Sequence, residues 1–200
     1  MRIIGGLAKG RQILCPRGLE VRPAQDKIRE AIFNILAGVV EGSIVLDLFA
    51  GTGALGIEGL SRGARQCVFV EKNTIAVQTI KKNLELTGFA DRGIVLKRDA
   101  FKCLPELQKK GMRFWLIFID PPYPLWERPD KREMLFNLVQ ALGEDTILES
   151  HTIVIIRHRT HKVEMPESLG SLRLFDKRSY GDTTLTFWRL HDFEVAEPGD

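Results

Sequence analysis

Two groups of residues have types and spacings suited to chemistry on a nucleotide-like ligand. Gly51, Gly53 and Gly56 have the G-x-G-x-x-G spacing, which permits positive φ angles and close approach of the backbone to a ligand. Asp47 precedes this glycine loop, and Glu71 ends the next apolar run, about 20 residues beyond it, where a carboxylate can hold ribose hydroxyls. The second group is D-P-P-Y at 120–123. We therefore expect a site built around the glycine loop and several acids.

Asp47 discriminates between two ligand classes for the glycine loop. A dinucleotide places an anionic pyrophosphate on the helix N-terminus, where a neighbouring carboxylate would repel it. S-adenosylmethionine has no phosphate and carries a sulfonium and an ammonium group, which a carboxylate attracts. The acid therefore favours a methyl donor over NAD. The alternative is a strand, turn and helix in which glycine serves only tight packing.

The D-P-P-Y segment is suited to binding an amine. Its prolines fix the backbone and lack N–H donors, so carbonyl oxygens remain as free acceptors. An exocyclic amine held by the Asp120 carboxylate and the Pro121 carbonyl would point at the methyl group of the donor, in line for displacement. Tyr123 can stack on a base, with Trp126 as a second aromatic wall. The alternative is a rigid turn that closes a strand.

Strand and helix patterns alternate through the middle of the chain, which predicts a mostly parallel sheet covered by helices on both sides. A helix after Pro23 comes first. The later segments form a hairpin-like pair that would join the sheet edge antiparallel. The expected strands are 43–47, 66–71, 93–98, 114–120, 153–156, 172–180 and 183–190, and the expected helices are 54–62, 73–87, 100–110 and 130–142.

Asp99 follows the third of these strands and is expected at the carboxyl edge of the sheet, where ligands of open α/β sheets bind. Its carboxylate can accept a hydrogen bond from the exocyclic amine of adenine. It can equally cap the following helix, and the two roles do not exclude each other.

Positive charge is concentrated at the N-terminus. The whole chain has a net charge of +3, but residues 192–200 carry four acids and no Lys or Arg, which leaves +7 on the rest. Residues 1–23 are rich in Gly and Pro and predict an arm or small hairpin. A solvated basic face is the alternative, but we expect contacts with the phosphates of a polyanionic partner such as RNA. The candidate RNA-binding residues are Arg2, Lys9, Arg11, Arg17, Lys27 and Arg29.

A second basic cluster, Arg157 to Lys162, is expected just past a strand, with its histidines on the surface. Cys15, Cys67 and Cys103 are odd in number and lack metal-site spacing, so we expect neither disulfides nor bound metal. Apolar runs are too short for a membrane span, and no targeting segment is recognised. These features predict a cytoplasmic protein without membrane partners.

Several motifs resemble a known enzyme class. D-L-F-A-G-T-G, followed by an acid-terminated second strand, resembles the first two motifs of class I S-adenosylmethionine-dependent methyltransferases. D-P-P-Y is similar to motif IV of the amino-methyltransferases, which modify exocyclic base amines or protein glutamine. R-I-I-G-G, K-G-R, P-R-G and R-P-x-x-D-K-I-R-E-A-I-F-N-I-L resemble the bacterial 16S ribosomal RNA guanine-N2 methyltransferases over residues 2–190, although Ala24 stands where that family usually has Thr.

The resemblance implies a Rossmann-like α/β fold: a mostly parallel seven-stranded sheet with helices on both faces, an antiparallel C-terminal strand and an N-terminal arm or hairpin. We expect a packed arm at 1–23, a methyltransferase domain at 24–190 and a disordered acidic tail at 191–200. The implied cofactor residues are Asp47, Phe49, Gly51, Gly53, Glu71, Asp99 and Ala100, and the implied catalytic residues are Asp120, Pro121 and Tyr123.

The implied reaction is metal-free methylation of a guanine N2 in 16S rRNA, on naked RNA or an assembling small subunit, by a monomer. Three alternatives stay open: methylation of another base amine or of a protein glutamine, an NAD-dependent dehydrogenase, and a non-enzymatic RNA-binding assembly factor. The dehydrogenase leaves D-P-P-Y unexplained. The assembly factor leaves the acids around the glycine loop unexplained.

Overall fold

The structure, a computed structural model, describes residues 1–16, 23–161 and 163–191. The helices are α1 Pro23–Ile35, α2 Ala54–Ser61, α3 Thr74–Thr87, α4 Leu104–Lys109, α5 Tyr123–Glu127 and α6 Pro129–Gly143, with a 3-10 turn at Ala100–Lys102. The strands are β1 Ile44–Leu48, β2 Gln66–Glu71, β3 Gly93–Lys97, β4 Phe114–Ile119, β5 Leu148–Arg159, β6 Ser168–Leu169, β7 Leu172–Tyr180 and β8 Thr183–Leu190.

All eight strands form one sheet in the order β3-β2-β1-β4-β5-β8-β7-β6. The first five strands are parallel, and β8, β7 and β6 are antiparallel. The chain runs outward from β1 to β2 and β3 on one side and crosses to β4 and β5 on the other. A crevice therefore opens between the carboxyl ends of β1 and β4, where ligands of such sheets bind.

The expected mostly parallel sheet with an antiparallel C-terminal strand is confirmed. The sheet has eight strands where seven were expected, because the two-residue β6 pairs with β7. The expected helix 100–110 is interrupted: a 3-10 turn comes first, and α4 begins at Leu104. Pro105 accounts for the break, because it has no N–H to continue the helical hydrogen bonds and is tolerated only in a first turn. The short helix α5 was not expected.

The central strands are buried on both faces, and their side chains alternate between two cores. Leu46 and Leu48 of β1 belong to one core, which α4 and α6 cover. Val45 belongs to the other, which α1, α2 and α3 cover. This period of two is the geometry of a strand, and helices on both faces explain why the strand sequences are almost wholly apolar.

Residues 1–13 form a small hairpin that is anchored in the second core. Arg2 pairs antiparallel with Gln12, and Ile3, Ala8 and Ile13 are buried. The hairpin touches α2 closely: the Leu7 N–H donates to the Ser61 carbonyl at 2.7 Å. Residues 1–13 of the expected arm therefore pack on the rest of the chain.

The expected boundary at residue 23 and the acidic tail are only partly described, because 17–22 and 192–200 lie outside the described residues. Among the helices that the structure describes, none is long and apolar enough to cross a bilayer.

Candidate active site

The residues expected to do chemistry meet at one edge of the sheet. Asp47 lies near the end of β1, Glu71 ends β2, Asp99 follows β3 and Asp120 follows β4. Backbone hydrogen bonds connect these strand ends: the Asp120 N–H approaches the Leu48 carbonyl at 3.5 Å, and the Arg98 N–H donates to the Glu71 carbonyl at 3.1 Å. Parallel strands place their carboxyl ends side by side, which explains this convergence.

The glycine loop has backbone conformations that explain its composition. Gly51 and Gly53 have φ angles of 55° and 78°, in the left-handed region that favours glycine. Gly56 serves packing, because a Cβ there would lie 2.3 Å from a ring carbon of Phe69 on β2. Phe49 has a φ of 60°, the one positive value among the described non-glycine residues. Gly56 therefore lets α2 pack closely on the sheet, while Gly51 has free space beside its backbone.

Asp47 is enclosed more completely than its expected role suggests. Its side chain is 1% exposed, and its Oδ2 accepts a hydrogen bond from the Gly56 N–H at 2.9 Å. Its pKa is raised to about 8, chiefly by burial; the Gly56 hydrogen bond opposes this shift, and the nearby charges of Asp120 and Glu71 add to it. A cation bound nearby would favour the charged form of this acid.

Glu71 connects the end of β2 to the glycine loop. Its Oε2 accepts from the Gly51 N–H at 2.9 Å, and its Oε1 accepts from the Asn73 N–H at 2.8 Å. A carboxylate has about four acceptor positions, so two remain for ribose hydroxyls. The side chain is half-buried at the edge of the site.

Asp99 caps the 3-10 turn, because its carboxylate accepts from the Phe101 N–H at 3.2 Å. It also lies 3.6 Å from the Lys72 ammonium. Ala100 beside it is buried, and the Phe101 ring meets Phe49 edge to face at 5.6 Å. The capping role is therefore present, and the half-buried Asp99 remains able to accept from a ligand as well.

Asp120 makes an ion pair that the sequence did not indicate. Its Oδ1 lies 2.6 Å from Arg157 Nε, and the two side chains are 19% and 16% exposed. Burial raises the pKa of Asp120, while the charge of Arg157 opposes that shift. Arg157 lies inside β5, so the second basic cluster begins within a strand and not past it. Its alternation with Arg159 along one strand was the signal for a shared face.

Tyr123 begins α5 next to the same arginines. The Arg159 guanidinium lies 4.6 Å from the centre of its ring, and its hydroxyl lies 3.2 Å from Thr183 Oγ1. Trp126 is fully buried, and its Nε1 donates to the Arg157 carbonyl at 3.0 Å. The expectation that Trp126 forms an aromatic wall of the site is wrong. His158, expected at the surface, is also buried.

The candidate RNA-binding residues differ in their exposure to solvent. Arg2, Lys9, Arg11 and Lys27 are exposed, whereas Arg17 lies outside the described residues. Arg29 is a correction: it is 3% exposed, donates to the Arg2 carbonyl at 2.6 Å and lies 3.4 Å from Glu58. Its position on the buried face of α1 keeps it from any phosphate.

The donor and acceptor set of the site fits S-adenosylmethionine. Acidic side chains suit its cationic groups and its hydroxyls, and space remains beside Gly51, where a Cβ would meet no atom of the described residues closer than 4.0 Å. Glu71 and Asp99 would hold the nucleoside end, and Asp47 would face the charged end. The described residues hold no group of three or more His, Cys, Asp or Glu that could bind a metal ion.

This fold and this edge define a class I S-adenosylmethionine-dependent methyltransferase. The chain belongs to the family described as conserved hypothetical protein 95, whose model matches residues 1–189.

Three similarities accompany this assignment. YlbH of Bacillus subtilis, provisionally named an rRNA methyltransferase, is 37% identical over 94% of this chain and 98% of its own. Ribosomal RNA small subunit methyltransferase D of Escherichia coli K12 is 33% identical over 78% of this chain and 73% of its own. A solved Escherichia coli structure, yhhF, provisionally classed as a methyltransferase, has a TM-score of 0.78 and 30% identity over 95% of this chain and 97% of its own.

Proposed function

We propose that the protein transfers the methyl group of S-adenosylmethionine to the exocyclic N2 amine of a guanine in 16S ribosomal RNA. The observation that carries the proposal is the place of D-P-P-Y: Asp120 follows β4, directly beside the glycine loop that follows β1. Hydrogen-bond acceptors for an amine and the loop expected to bind the methyl donor thus lie on the two sides of one crevice. The name of the Escherichia coli relative, a small subunit rRNA methyltransferase, supports the substrate class.

The methyl donor supplies the reactive group, and the protein orients the amine that receives it. When bound, S-adenosylmethionine supplies an electrophilic methyl group on its sulfonium. The Asp120 carboxylate and the Pro121 carbonyl accept hydrogen bonds from the guanine amine and hold its nitrogen lone pair in line with that methyl. Tyr123 stacks on the base. No strong base is required, because the amine nitrogen becomes cationic and acidic on accepting the methyl and then loses a proton.

The exposed cations of the hairpin, with Lys27, would contact the phosphates of the RNA. The target guanine must leave its stack to reach the crevice, which favours an unpaired guanine, because its extrusion costs least. We also propose that the enzyme acts in the cytoplasm, as a monomer, on rRNA or on an assembling small subunit.

The product tests the proposal. Small-subunit rRNA from a deletion strain and from a complemented strain would be digested to nucleosides and compared by mass spectrometry. We expect one N2-methylguanosine to be missing in the deletion strain and restored by the gene, but not by an Asp120→Ala version. Loss of another methylated nucleoside, or of methylated glutamine in a protein, would overturn the substrate while leaving the methyltransferase class intact.

A further inference from the structure

Arg157 is placed opposite Asp120 by the register of two strands. Ile156 of β5 pairs with Ile119 of β4, so the next residues, Arg157 inside β5 and Asp120 just past β4, lie side by side. The backbone of Arg157 is held from two sides: it pairs with Leu185 of β8, and its carbonyl accepts from Trp126 Nε1. These contacts fix the backbone from which the Arg157 side chain extends, next to D-P-P-Y.

The ion pair occupies one carboxylate oxygen and leaves the rest of the group accessible. Asp120 Oδ1 is fully buried under Arg157, yet the Asp120 side chain is 19% exposed. The exposed surface therefore lies on side-chain atoms other than Oδ1. The 2.6 Å contact brings the two opposite charges together.

Charge on Asp120 matters for an amine ligand. An ionised carboxylate only accepts hydrogen bonds, whereas a protonated one carries a donor that would compete with the amine. Burial opposes ionisation of Asp120 and raises its pKa. The Arg157 guanidinium of β5 opposes this effect of burial. Arg159 lies over the Tyr123 ring and pairs with Glu127 instead.

We propose that Arg157 is a positioning residue, which acts through Asp120: it holds one carboxylate oxygen and keeps the group charged, so that the other oxygen receives the substrate amine. The inference rests on the proposed function, because it assumes that an amine is the methyl acceptor. Arg157 need not touch the substrate or the cofactor to act in this way.

The test compares R157M, which removes the charge, with R157K, which keeps it. Transfer of labelled methyl from S-adenosylmethionine to small-subunit rRNA from the deletion strain would be measured from pH 5 to 9. We expect R157M to lower kcat at pH 7 by about tenfold or more. It should also move the acid limb of the pH profile to higher pH by about one unit or more, because an opposite charge at this distance lowers a carboxyl pKa by about 1–3 units. R157K should keep most of the wild-type kcat and the wild-type acid limb, and neither variant should change the KM for the cofactor much.

A matched control and a double variant separate the outcomes. Arg178 pairs with Asp176 at 3.0 Å on β7, and R178M should leave the pH profile unchanged. In a D120N background, R157M should cause little further loss, because Arg157 acts through the carboxylate. Circular dichroism would verify folding, with R157Q replacing R157M if the latter fails to fold.

Failure of the proposed function and failure of the positioning role give different results. If wild-type protein methylates no guanine, the proposed function falls. If wild-type protein is active but the neutral Arg157 variants keep its acid limb and kcat, the positioning role is overturned. Equal loss in D120N and wild-type backgrounds would also overturn it, since Arg157 would then act independently of Asp120.

Discussion

Glu58 and Arg29 form an ion pair in the interior, with 3.4 Å between Glu58 Oε2 and Arg29 Nε. The Glu58 side chain is fully buried, and it also accepts the backbone N–H groups of Ile4 and Gly5 at 2.9 and 2.8 Å. One carboxylate of α2 thus joins α1 to the N-terminal hairpin. The basic hairpin is held on the domain by this buried pair.

Replacing Glu58 with Ala should destabilise the protein by about 3–5 kcal/mol. Among the described residues, the buried Arg29 would keep only Asp26 as a carboxylate partner, and the Ile4 and Gly5 N–H groups would lose their acceptor. The measurement is the free energy of unfolding in urea. Glu106→Ala is the control: Glu106 pairs with an exposed Arg98, so this variant should lose much less stability. Similar losses in the two variants would contradict the anchoring role.

Replacing Glu71 with Ala should weaken S-adenosylmethionine binding by about 1.5–3 kcal/mol for each charged hydrogen bond lost. The loop would also lose the acceptor for the Gly51 N–H. Titration calorimetry measures the affinity, with Glu85→Ala, an exposed acid of α3, as control. Unchanged affinity in a folded Glu71 variant would remove this residue from the site.

Binding of S-adenosylmethionine should release a proton from Asp47. Its pKa of about 8 in the free protein means that it is largely neutral below that pH, and a bound cation favours its charged form. Affinity should therefore increase with pH, by up to about tenfold per unit between pH 5.5 and 7. Calorimetry in buffers of different ionisation enthalpy detects the proton, and Asp47→Asn should abolish the effect. Release of a proton by that variant would assign it to another group.

Replacing Asp120 with Ala should reduce methyl transfer by orders of magnitude while cofactor affinity changes little, as expected when a contact that orients the acceptor is lost. Single-turnover transfer and calorimetry measure the two quantities separately. If both fall together, Asp120 serves the cofactor site as well, and the separation of roles is wrong.

Lys9→Gln and Arg11→Gln should each reduce the slope of log affinity against log salt for RNA by about 0.7–1, the effect of losing one phosphate contact. Arg29→Gln should change stability and not this slope, because Arg29 is buried. Lys109→Gln on α4 is a surface control. Slopes that stay intact in both hairpin variants would mean that these charges only aid solubility.

Much of the fold could be predicted because its signals are local. Apolar runs and glycines predicted the parallel strands, and the expected boundaries of β2, β7 and β8 match the structure. The topology of parallel strands then brings Asp47, Glu71, Asp99 and Asp120 to one edge. The break before Pro105 and the two-residue β6 were missed, because a short 3-10 turn and a short edge strand leave little periodicity.

The sequence by itself determined the class of site, because the glycine loop and D-P-P-Y carry their geometry within a few residues. The partners of those acids were decided only by the tertiary structure. The charge pattern predicted Arg29 to be a surface cation, but α1 places it beside Glu58 in the interior. Arg157 was predicted as part of a basic cluster, but the register of β5 against β4 places it beside Asp120. Charge is visible in a sequence, but burial and pairing depend on packing between segments far apart in the chain.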